Sequence, residues 1–479
     1  MKRSLILQLV ILGLFASILW IIFNSDKEDT FSGKQTFSKE SPLVKGTEGN
    51  NPEIDTSQEI PKIQFVRNIK KPAGLLFLQL IIILSVAKLF GALVSRLRQP
   101  GVIGEMIAGI ILGPSLLGLV SPEVFNFLFP ASSLGNLEII SQLGLILFMF
   151  IVGMELDIEG LKSKVLNAFV ISNTSIIFPF FLGVLLSLFL FDRFAPENVR
   201  FSEFALFTGI AVSITAFPVL ARILQERNLT KTGLGTIAIT CAAFNDLTSW
   251  CALALVIAIV IGENFSGVLL IIILTVIFIL VMFYLIRPLL RKINSNSTGG
   301  RNHNRIYTII AFLILLSSAC LTEAIGIHAV FGAFIAGLIM PDKMNFKESL
   351  KGKIEDICVI LLLPVFFAIT GLRTQIGLLN QGYLWATFGL IVFVAILGKI
   401  GGSAVSARIT GHSWKDSLSL GVLMNTRGLI ELIVLSIGYD LGILSAQLFT
   451  IMVLMAVTTT LMTGPLLDLI DFYFRKRTA

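Results

Sequence analysis

The chain has 479 residues, of which 55% are hydrophobic and only 14% are charged, and its mean hydropathy is +0.88. This composition is far more apolar than that of a soluble domain and indicates a polytopic membrane protein. The formal net charge of +7 would suit a nucleic-acid partner, but the basic residues are concentrated in alternate loops between apolar segments. That distribution is typical of membrane proteins, so we expect a lipid bilayer and no nucleic acid as the partner.

The N-terminal region is predicted to lie outside the main domain. Met1-Lys2-Arg3 precedes an apolar segment that reaches Phe23. Residues 1–23 fit either a signal peptide or an uncleaved signal anchor, and the long apolar run without an Ala-x-Ala site favours the anchor. Residues 24–72 contain eight acidic and eight basic residues among Ser, Thr, Gly and Pro. Such a segment has too few apolar side chains to form a core, so we predict a disordered linker outside the membrane.

Thirteen further apolar segments predict an all-α polytopic transmembrane domain over residues 73–474. The segments begin near residues 73, 102, 137, 164, 202, 232, 266, 305, 327, 353, 383, 414 and 446. Alternate loops between them are rich in Lys and Arg, whereas the remaining loops contain only Arg193, Arg200 and Arg373. The positive-inside rule therefore places the short C-terminal tail, residues 475–479, in the cytoplasm.

The two halves of this domain contain similar motifs in the same order. The matched segments are GEMIAGIILGP (104–114) with GAFIAGLIMP (332–341), LILFMFIVGMELD (145–157) with LLPVFFAITGLRT (362–374), and more weakly GIAVSIT (209–215) with GVLMNTR (421–427). Matched segments are seven spans apart, so the two members of each pair must cross the membrane in opposite directions. The pattern predicts two inverted repeats, about residues 73–261 and 305–474, which is the architecture of alternating-access transporters.

Two spans at matched positions contain helix-breaking residues. Pro218 in the fifth span has no N–H, so the carbonyl of Ile214 loses its helical partner, and Ser213 and Thr215 place hydroxyls at the same point. In the twelfth span, residues 425–428 (NTRG) interrupt an apolar helix. Unpaired backbone at membrane depth persists only where it is buried in protein or lines a polar cavity. We therefore predict two crossed, broken helices whose ends meet within the membrane.

One carboxylate, Asp246, lies in the middle of the sixth span, TIAITCAAFNDLTSWCALALVIAIV. A charge at the bilayer centre costs about 2.5–3.5 kcal/mol even on lenient insertion scales, so such a group is expected to bind a cation or carry a proton. A carboxylate that takes either H+ or a cation, but not both, is the simplest device for exchange. The amide oxygen of Asn245 is a second candidate ligand. The predicted ion-binding residues are Asp246, Asn245, Thr215 and Ser213.

Other charged residues in the spans are predicted to balance helix ends or to control gating. Lys399 lies among small residues of the eleventh span. It is expected either to offset negative helix ends at the crossing or to act as a second titrating group. The alternative to both is that its side chain snorkels to the cytoplasmic face. Arg427 and Glu431 are four residues apart on one helix and are able to pair. Alternatively, Arg427 reaches Glu155 or Asp157 on another span. Arg427, Glu431, Glu155 and Asp157 are therefore predicted to have a structural or gating role.

Enzymatic chemistry is not expected. The sequence has no Ser/His or Cys/His constellation and no metal-ligand spacing, so no catalytic residue, cofactor or metal beyond a transported cation is predicted. The four cysteines, all in or near spans, are interpreted as small packing residues.

Several of these stretches together resemble the monovalent cation:proton antiporters, in the branch that contains the plant cation/H+ exchangers and bacterial Na+/H+ and K+/H+ antiporters. The matching stretches are QPGVIGEMIAGIILGPSLLG, FIVGMELD, SITAFPVLARIL, AAFNDLTSW, GIHAVFGAFIAGLIMP, LLPVFFAITGL and MNTRGLIELIVLSIG, which lie between about residues 99 and 438. The resemblance implies a core domain with crossed, broken helices that moves against a dimerisation domain. It therefore implies a homodimer in a cell membrane, with a bacterial inner membrane favoured.

Carried onto this chain, the resemblance implies that Asp246 is the exchanging carboxylate, that Asn245 is its partner and that Thr215 lies at the first helix break. Lys399 matches the basic residue of the family. Many electrogenic relatives have two adjacent aspartates where this chain has Asn245-Asp246. With one carboxylate, the simplest expectation is electroneutral exchange of one K+ or Na+ for one H+, unless Lys399 also titrates. The alternative is a sodium-driven solute symporter of the same inverted-repeat fold, which would need a polar substrate cavity and no proton release from Asp246.

Overall fold

The computed structural model describes residues 68–69, 71–96, 99–155, 165–230, 232–261, 265–295, 301–341 and 346–478. Every secondary-structure element among these residues is helical, as predicted. The predicted anchor, residues 1–23, and nearly all of the predicted linker, residues 24–72, lie outside the described residues, and so does Asp157.

The first half of the domain consists of nine helices separated by short breaks. They are α1 (Pro72–Arg96), α2 (Gly101–Leu112), α3 (Leu117–Val120), α4 (Pro122–Leu128), α5 (Ala131–Glu155), α6 (Val165–Phe194), α7 (Phe201–Ser213), α8 (Phe217–Glu226) and α9 (Gly233–Ile261). The break between α7 and α8 is the one predicted from Pro218, which occupies the first turn of α8, where a missing N–H costs least.

The second half continues with α10 (Phe265–Leu280), α11 (Arg287–Ser295), α12 (Arg301–Ile325), α13 (Ala329–Leu338), α14 (Phe346–Ile357), α15 (Leu363–Arg373), α16 (Gly382–Ile396), α17 (Gly402–Ile409), α18 (Trp414–Met424), α19 (Leu429–Asp440) and α20 (Ala446–Thr478). Three short π-helical segments connect consecutive helices without ending the helical path. Val281–Ile286 joins α10 to α11, Cys358–Leu362 joins α14 to α15, and Leu397–Gly401 joins α16 to α17. The helix α20 extends through most of the predicted tail.

Ten helical segments in the described residues are long and apolar enough to cross a membrane, or eleven if α18 and α19, bent by 41°, count as one span. About 20 residues at 1.5 Å per residue are needed to cross the hydrocarbon core, and α7 and α13, with 13 and 10 residues, are too short to do so alone. A helix or helix pair occurs at each predicted span. The exact count of thirteen crossings remains a prediction.

The outer surface of the helices is apolar. Large hydrophobic side chains such as Phe189 (72% exposed), Leu313 (59%) and Phe393 (60%) face outward. Contiguous apolar surface of this kind is typical of a lipid-facing protein.

The four cysteines were predicted to be packing residues. Cys241 and Cys358 are buried as predicted. Cys251 and Cys320 are exposed, so that prediction was wrong for these two.

The helices form two groups that pack mainly within themselves. The first, here called the glycine bundle, consists of α1, α2, α5 and α12–α15. The second, here called the crossing bundle, consists of α6–α9 and α16–α20. Helix α10 contacts α9 of the crossing bundle and α12 of the glycine bundle.

Two glycine contacts hold the glycine bundle together. Gly109 of α2 meets Gly371 of α15, and Gly153 of α5 meets Gly337 of α13, so closely that a Cβ at any of the four would overlap main-chain atoms of the partner helix. The sequence motifs match Gly109 with Gly337 and Gly153 with Gly371. Exchanging the two halves of the chain therefore converts one contact into the other. This reciprocity supports the inverted repeat.

Candidate ion-binding site

The two broken helices cross at their interruptions. Residues 214–216 are non-helical between α7 and α8, and residues 425–428 are non-helical between α18 and α19. The backbone N–H of Ala216 donates to the carbonyl of Thr426 at 3.0 Å, and the Thr215 hydroxyl donates to the carbonyl of Met424 at 2.8 Å. Each break thus satisfies main-chain groups that the other leaves free, which allows irregular backbone to remain buried.

Asn245 of α9 links the helix crossing to α9 and α6 through hydrogen bonds. Its side chain is fully buried, and its amide oxygen accepts from the backbone N–H of Thr215 at 3.1 Å and from the Ser249 hydroxyl at 3.4 Å. Its amide nitrogen donates to the hydroxyl of Ser175 on α6 at 2.9 Å, and that hydroxyl donates to the carbonyl of Ser172. Asn245 is therefore next to the predicted carboxylate, as expected, but its oxygen already has two donors.

Asp246, the neighbouring residue, is fully buried, and neither carboxylate oxygen has a hydrogen-bond partner in the part of the chain that the structure describes. The backbone N–H of Phe217, at the start of α8, is near enough to act on the charge without closing a hydrogen bond to it, and Lys399 acts at longer range without forming an ion pair. A buried, unpaired carboxylate is unfavourable by several kcal/mol unless it is neutralised. A proton or a bound cation would supply that neutralisation.

Lys399 lies in the π-helical turn between α16 and α17 and is fully buried, so the snorkelling alternative is wrong. Its ammonium donates to the Thr215 hydroxyl at 2.6 Å. The glycines beside it permit this position, because Gly398 packs against Pro179 and Gly402 against Phe178 of α6. Since Thr215 in turn donates to the Met424 carbonyl, Lys399 is connected through Thr215 to the C-terminal end of α18, and its role there, as a counter-charge or a titrating group, stays a prediction.

Arg427 and Glu431 form a fully buried ion pair at 3.1 Å, so the first of the predicted alternatives is present. The guanidinium also donates to the carbonyls of Val212 at 2.6 Å and Ala211 at 3.2 Å, at the C-terminal end of α7. The main chain of Arg427 is held by Thr460 of α20, whose hydroxyl accepts from its N–H at 2.9 Å and donates to its carbonyl at 2.7 Å. These contacts satisfy carbonyls at the end of α7 and fix the second break to α20, and the choice between a structural and a gating role stays a prediction.

The remaining predicted residues lie elsewhere or bind their own helix. Glu155 pairs with Lys351 of α14 at 2.5 Å and does not reach Arg427, so that alternative was wrong. The Ser213 hydroxyl is buried at the first break but donates to the carbonyl of Ile210 in its own helix. Asp157, the other alternative, is outside the described residues.

Two side chains at the crossing were not among the predicted site residues. Ser175, which receives the Asn245 amide, belongs to a polar run, SNTS (172–175), inside the apolar fourth span, and that run was a usable signal. Asn425 was noted as a helix breaker but not as a site residue. Its side chain is 1% exposed, and neither its oxygen nor its nitrogen has a partner among the described residues.

Charged groups at the crossing match the helix ends they face. Asp246 is near the N-terminal end of α8, and Glu431 is in the first turn of α19. Arg427 contacts the C-terminal end of α7, and Lys399 is connected to that of α18 through Thr215. Acidic groups at N-terminal ends and basic groups at C-terminal ends are each stabilised by the helix dipole. Acidic and basic groups at the crossing are therefore equal in number, and Asp246 is a carboxylate without a direct partner in the described part of the chain.

An all-helical membrane protein in which two interrupted helices cross beside a buried, unpaired carboxylate has the architecture of a secondary active transporter. Residues 81–470 match the family described as "Sodium/hydrogen exchanger, transmembrane", and the chain belongs to that family.

Relatives named as antiporters are similar over most of this chain. It is 46% identical over 395 residues to "Na(+)/H(+) antiporter NhaS4" of Synechocystis sp., covering 82% of this chain and 96% of the relative. It is 42% identical over 394 residues to "Cation/H(+) antiporter 17" of Arabidopsis thaliana (82% of this chain, 48% of the relative) and 36% identical over 414 residues to "K(+)/H(+) antiporter 1" of Saccharomyces cerevisiae (85% and 47%). The chain thus spans about half the length of these plant and yeast relatives.

The fold is similar to that of a solved structure, the sodium proton antiporter MjNhaP1 from Methanocaldococcus jannaschii at pH 8. The TM-score is 0.58 at 17% sequence identity, covering 82% of this chain and 96% of that one. At this level of identity the likeness concerns the fold alone.

Proposed function

We propose that the protein exchanges a monovalent cation, K+ or Na+, for H+ across a membrane by alternating access, with Asp246 as the carboxylate that both ions share. The observation that carries this proposal is the pair of buried, unpartnered oxygens of Asp246 beside the helix crossing. The activities in the names of the relatives, together with membership of the exchanger family, support it.

The competition between the two ions follows from burial. Because the charge of Asp246 is costly in the membrane, the group is stable either as the acid or with a cation bound. The N-terminal end of α8, at Phe217, lies beside Asp246, and the positive end of a helix dipole favours the negative charge that forms when the proton leaves. A proton on Asp246 removes the charge that attracts the cation, so one ion displaces the other.

A cavity of about 460 Å³ lies beside two of the helices that carry site residues, α9 and α18. It lies at the N-terminal ends of α9 and α18 and is lined by Leu234, Ile237, Leu420 and the polar residues Lys415 and Asp416, among others. These residues lie on the face where the basic loops predict the cytoplasm. We therefore assign cytoplasmic access to this cavity, together with the cytoplasmic C-terminus.

Electroneutral exchange, one cation for one H+, is part of the proposal. Asn245 is neutral and is held by Thr215 and Ser175, so Asp246 is the carboxylate available to both ions. The ammonium of Lys399 donates a hydrogen bond to Thr215, and we propose that it keeps its proton throughout the cycle. A titrating Lys399 would make the exchange sensitive to membrane voltage.

The test uses purified protein in liposomes that contain a pH dye and carry an imposed proton gradient. Addition of K+ or Na+ is expected to change the internal pH for the wild type and for Asp356→Asn, which alters an exposed carboxylate on α14. Asp246→Asn is expected to abolish the response. Clamping the voltage is expected to leave the wild-type rate unchanged.

Three results would contradict the proposal in different places. A wild type that moves no protons with either cation would rule out exchange and favour sodium-driven solute uptake. An active Asp246→Asn variant would rule out the assigned carboxylate. A rate that depends on voltage would rule out the one-for-one count and leave the exchange itself intact.

A further inference from the structure

Asn425 lies at the centre of the helix crossing. In the chain it stands between Met424, whose carbonyl accepts from the Thr215 hydroxyl, and Thr426, whose carbonyl accepts from the N–H of Ala216. Consecutive Cα atoms are about 3.8 Å apart, so Asn425 is within one residue of both contacts between the breaks. Through Thr215 the same cluster includes Lys399 and Asn245, the neighbour of Asp246.

Buried polar atoms without a partner are concentrated at this crossing. Twelve such side-chain atoms occur in the described residues, and six of them belong to Asp246, Asn425, Arg427 and Glu431. Both polar atoms of Asn425 are in this set, although the residue is 1% exposed. A buried amide without hydrogen bonds is unfavourable by about 1–3 kcal/mol, so a binding partner for it is expected.

The side-chain oxygens of Asn245 and Thr215 are already hydrogen-bonded, whereas Oε2 of Glu431 has no partner among the described residues but belongs to a carboxylate paired with Arg427. The oxygen of Asn245 accepts from the Thr215 N–H and from Ser249, and the hydroxyl oxygen of Thr215 accepts from Lys399. A dehydrated alkali cation needs several oxygens to replace its water, and two carboxylate oxygens of Asp246 alone supply too few. Asn425 supplies a neutral oxygen at the crossing that has no partner among the described residues, which makes it the candidate to join those of Asp246.

We propose that Asn425 is a ligand of the transported cation, supplied by the second broken helix, and that its oxygen sets the preference between Na+ and K+. The inference rests on the proposed exchange function and adds Asn425 to the residues that bind the cation. A neutral amide binds a cation without binding a proton, so it raises cation affinity and leaves the one-carboxylate competition unchanged. A bound water or a purely structural amide is the competing interpretation.

The decisive variant is Asn425→Leu, which keeps the shape of the side chain and removes its oxygen. We expect the half-saturating cation concentration to rise about tenfold, equivalent to about 1.4 kcal/mol of binding, with a maximal rate within about twofold of wild type. The Na+ to K+ affinity ratio is expected to shift, because the number of coordinating oxygens decides selectivity. Asn425→Asp, which keeps an oxygen, is expected to retain cation binding.

Binding is measured separately from transport. The thermal unfolding of purified protein is followed against Na+, K+ and Rb+ concentration, since a ligand stabilises the folded state according to its affinity. The matched control is Thr208→Val, which removes another buried, unpartnered oxygen from α7, away from the crossing. The control is expected to keep wild-type cation dependence, whereas Asn425→Leu loses about tenfold in affinity.

The outcomes separate this inference from the function on which it rests. A wild type without cation/H+ exchange would overturn the function. If the wild type exchanges, Asp246→Asn does not, and Asn425→Leu keeps wild-type affinity for every cation, then the ligand assignment alone is overturned. If Asn425→Leu does not fold, Asn425→Gln, which displaces the oxygen by one methylene, decides the question. An unchanged Na+ to K+ ratio in that variant would also overturn the assignment.

Discussion

At the scale of single residues, the site separates charges that hold the structure from the charge that is free to react. Arg427 and Glu431 neutralise each other, and Arg427 also binds two carbonyls of α7. Asp246 has no comparable partner. The difference does not depend on burial, because all three side chains are fully buried. It depends on whether a neighbouring group is within hydrogen-bond distance.

We predict that Arg427→Leu destabilises the protein by about 3–5 kcal/mol, because it leaves Glu431 buried without a counter-charge and the α7 carbonyls without donors. The double variant Arg427→Leu/Glu431→Leu is expected to recover part of this loss, since no unpaired charge remains. Denaturation in detergent measures both variants. A double variant less stable than the single one would show that the pair is not the source of the effect.

At the scale of helices, close packing depends on glycine where two backbones touch. Gly153 of α5 faces main-chain atoms of α13, whereas Gly389 of α16 has nothing within 4 Å of the position a Cβ would occupy. The same residue type therefore has opposite consequences in the two helices. In the first, the absence of a side chain allows the contact. In the second, it only lowers helix propensity.

We predict that Gly153→Ala destabilises the fold by about 1–3 kcal/mol, because the added methyl forces α5 and α13 apart. Gly389→Ala is expected to be neutral or to stabilise by about 0.5–1 kcal/mol through helix propensity. Thermal unfolding of the two variants in the same detergent makes the comparison. Equal effects would mean that the close approach of α5 and α13 does not limit stability.

At the scale of the whole molecule, Arg373 at the end of α15 connects the two bundles. It pairs with Glu138 of α5 in the glycine bundle at 2.9 Å and with Asp440 of α19 in the crossing bundle at 2.9 Å, and it lies over the Tyr439 ring at 5.5 Å. The cavity beside it is about 40 Å³, far smaller than those on the opposite face. Arg373 thus joins the two bundles on the face where this small cavity lies.

We predict that Arg373→Ala favours opening of this face. Two partly exposed ion pairs and a cation–π contact together contribute about 1–2 kcal/mol, which corresponds to about 5- to 30-fold in the opening equilibrium. The readout is the labelling rate of a cysteine introduced at Ser436, in the 40 Å³ cavity, after replacement of Cys251 and Cys320. A membrane-impermeant thiol reagent is expected to label the variant faster by that factor.

The control for this prediction is Lys415→Ala, which removes an ion pair between α18 and α20 inside the crossing bundle. It is expected to leave the labelling rate unchanged. If Arg373→Ala labels no faster than this control, the two bundles are not held by Arg373.

Much of the site was predictable because membrane burial makes polar residues conspicuous. Asp246, Asn245, Thr215 and Lys399 stand out in apolar spans, and the structure brings them together around the break between α7 and α8. The partner of Arg427 was predicted only as one of several alternatives, since a helix position four residues away and a distant span are equally compatible with sequence. Asn425 was missed as a site residue because a helix-breaking role already explained it.

The sequence by itself determined the class of protein, the apolar helical segments and the two breaks, because the bilayer demands long apolar helices and a proline removes a backbone donor at a known position. It also determined which charge would be costly. Only the tertiary structure decided which polar groups satisfy one another. Asn245 and Thr215 are hydrogen-bonded to groups on other helices, whereas the side-chain oxygens of Asp246 and Asn425 have no partner among the residues that the structure describes. The reason is that hydrogen bonding inside a membrane depends on distances of a few ångströms between helices far apart in the chain.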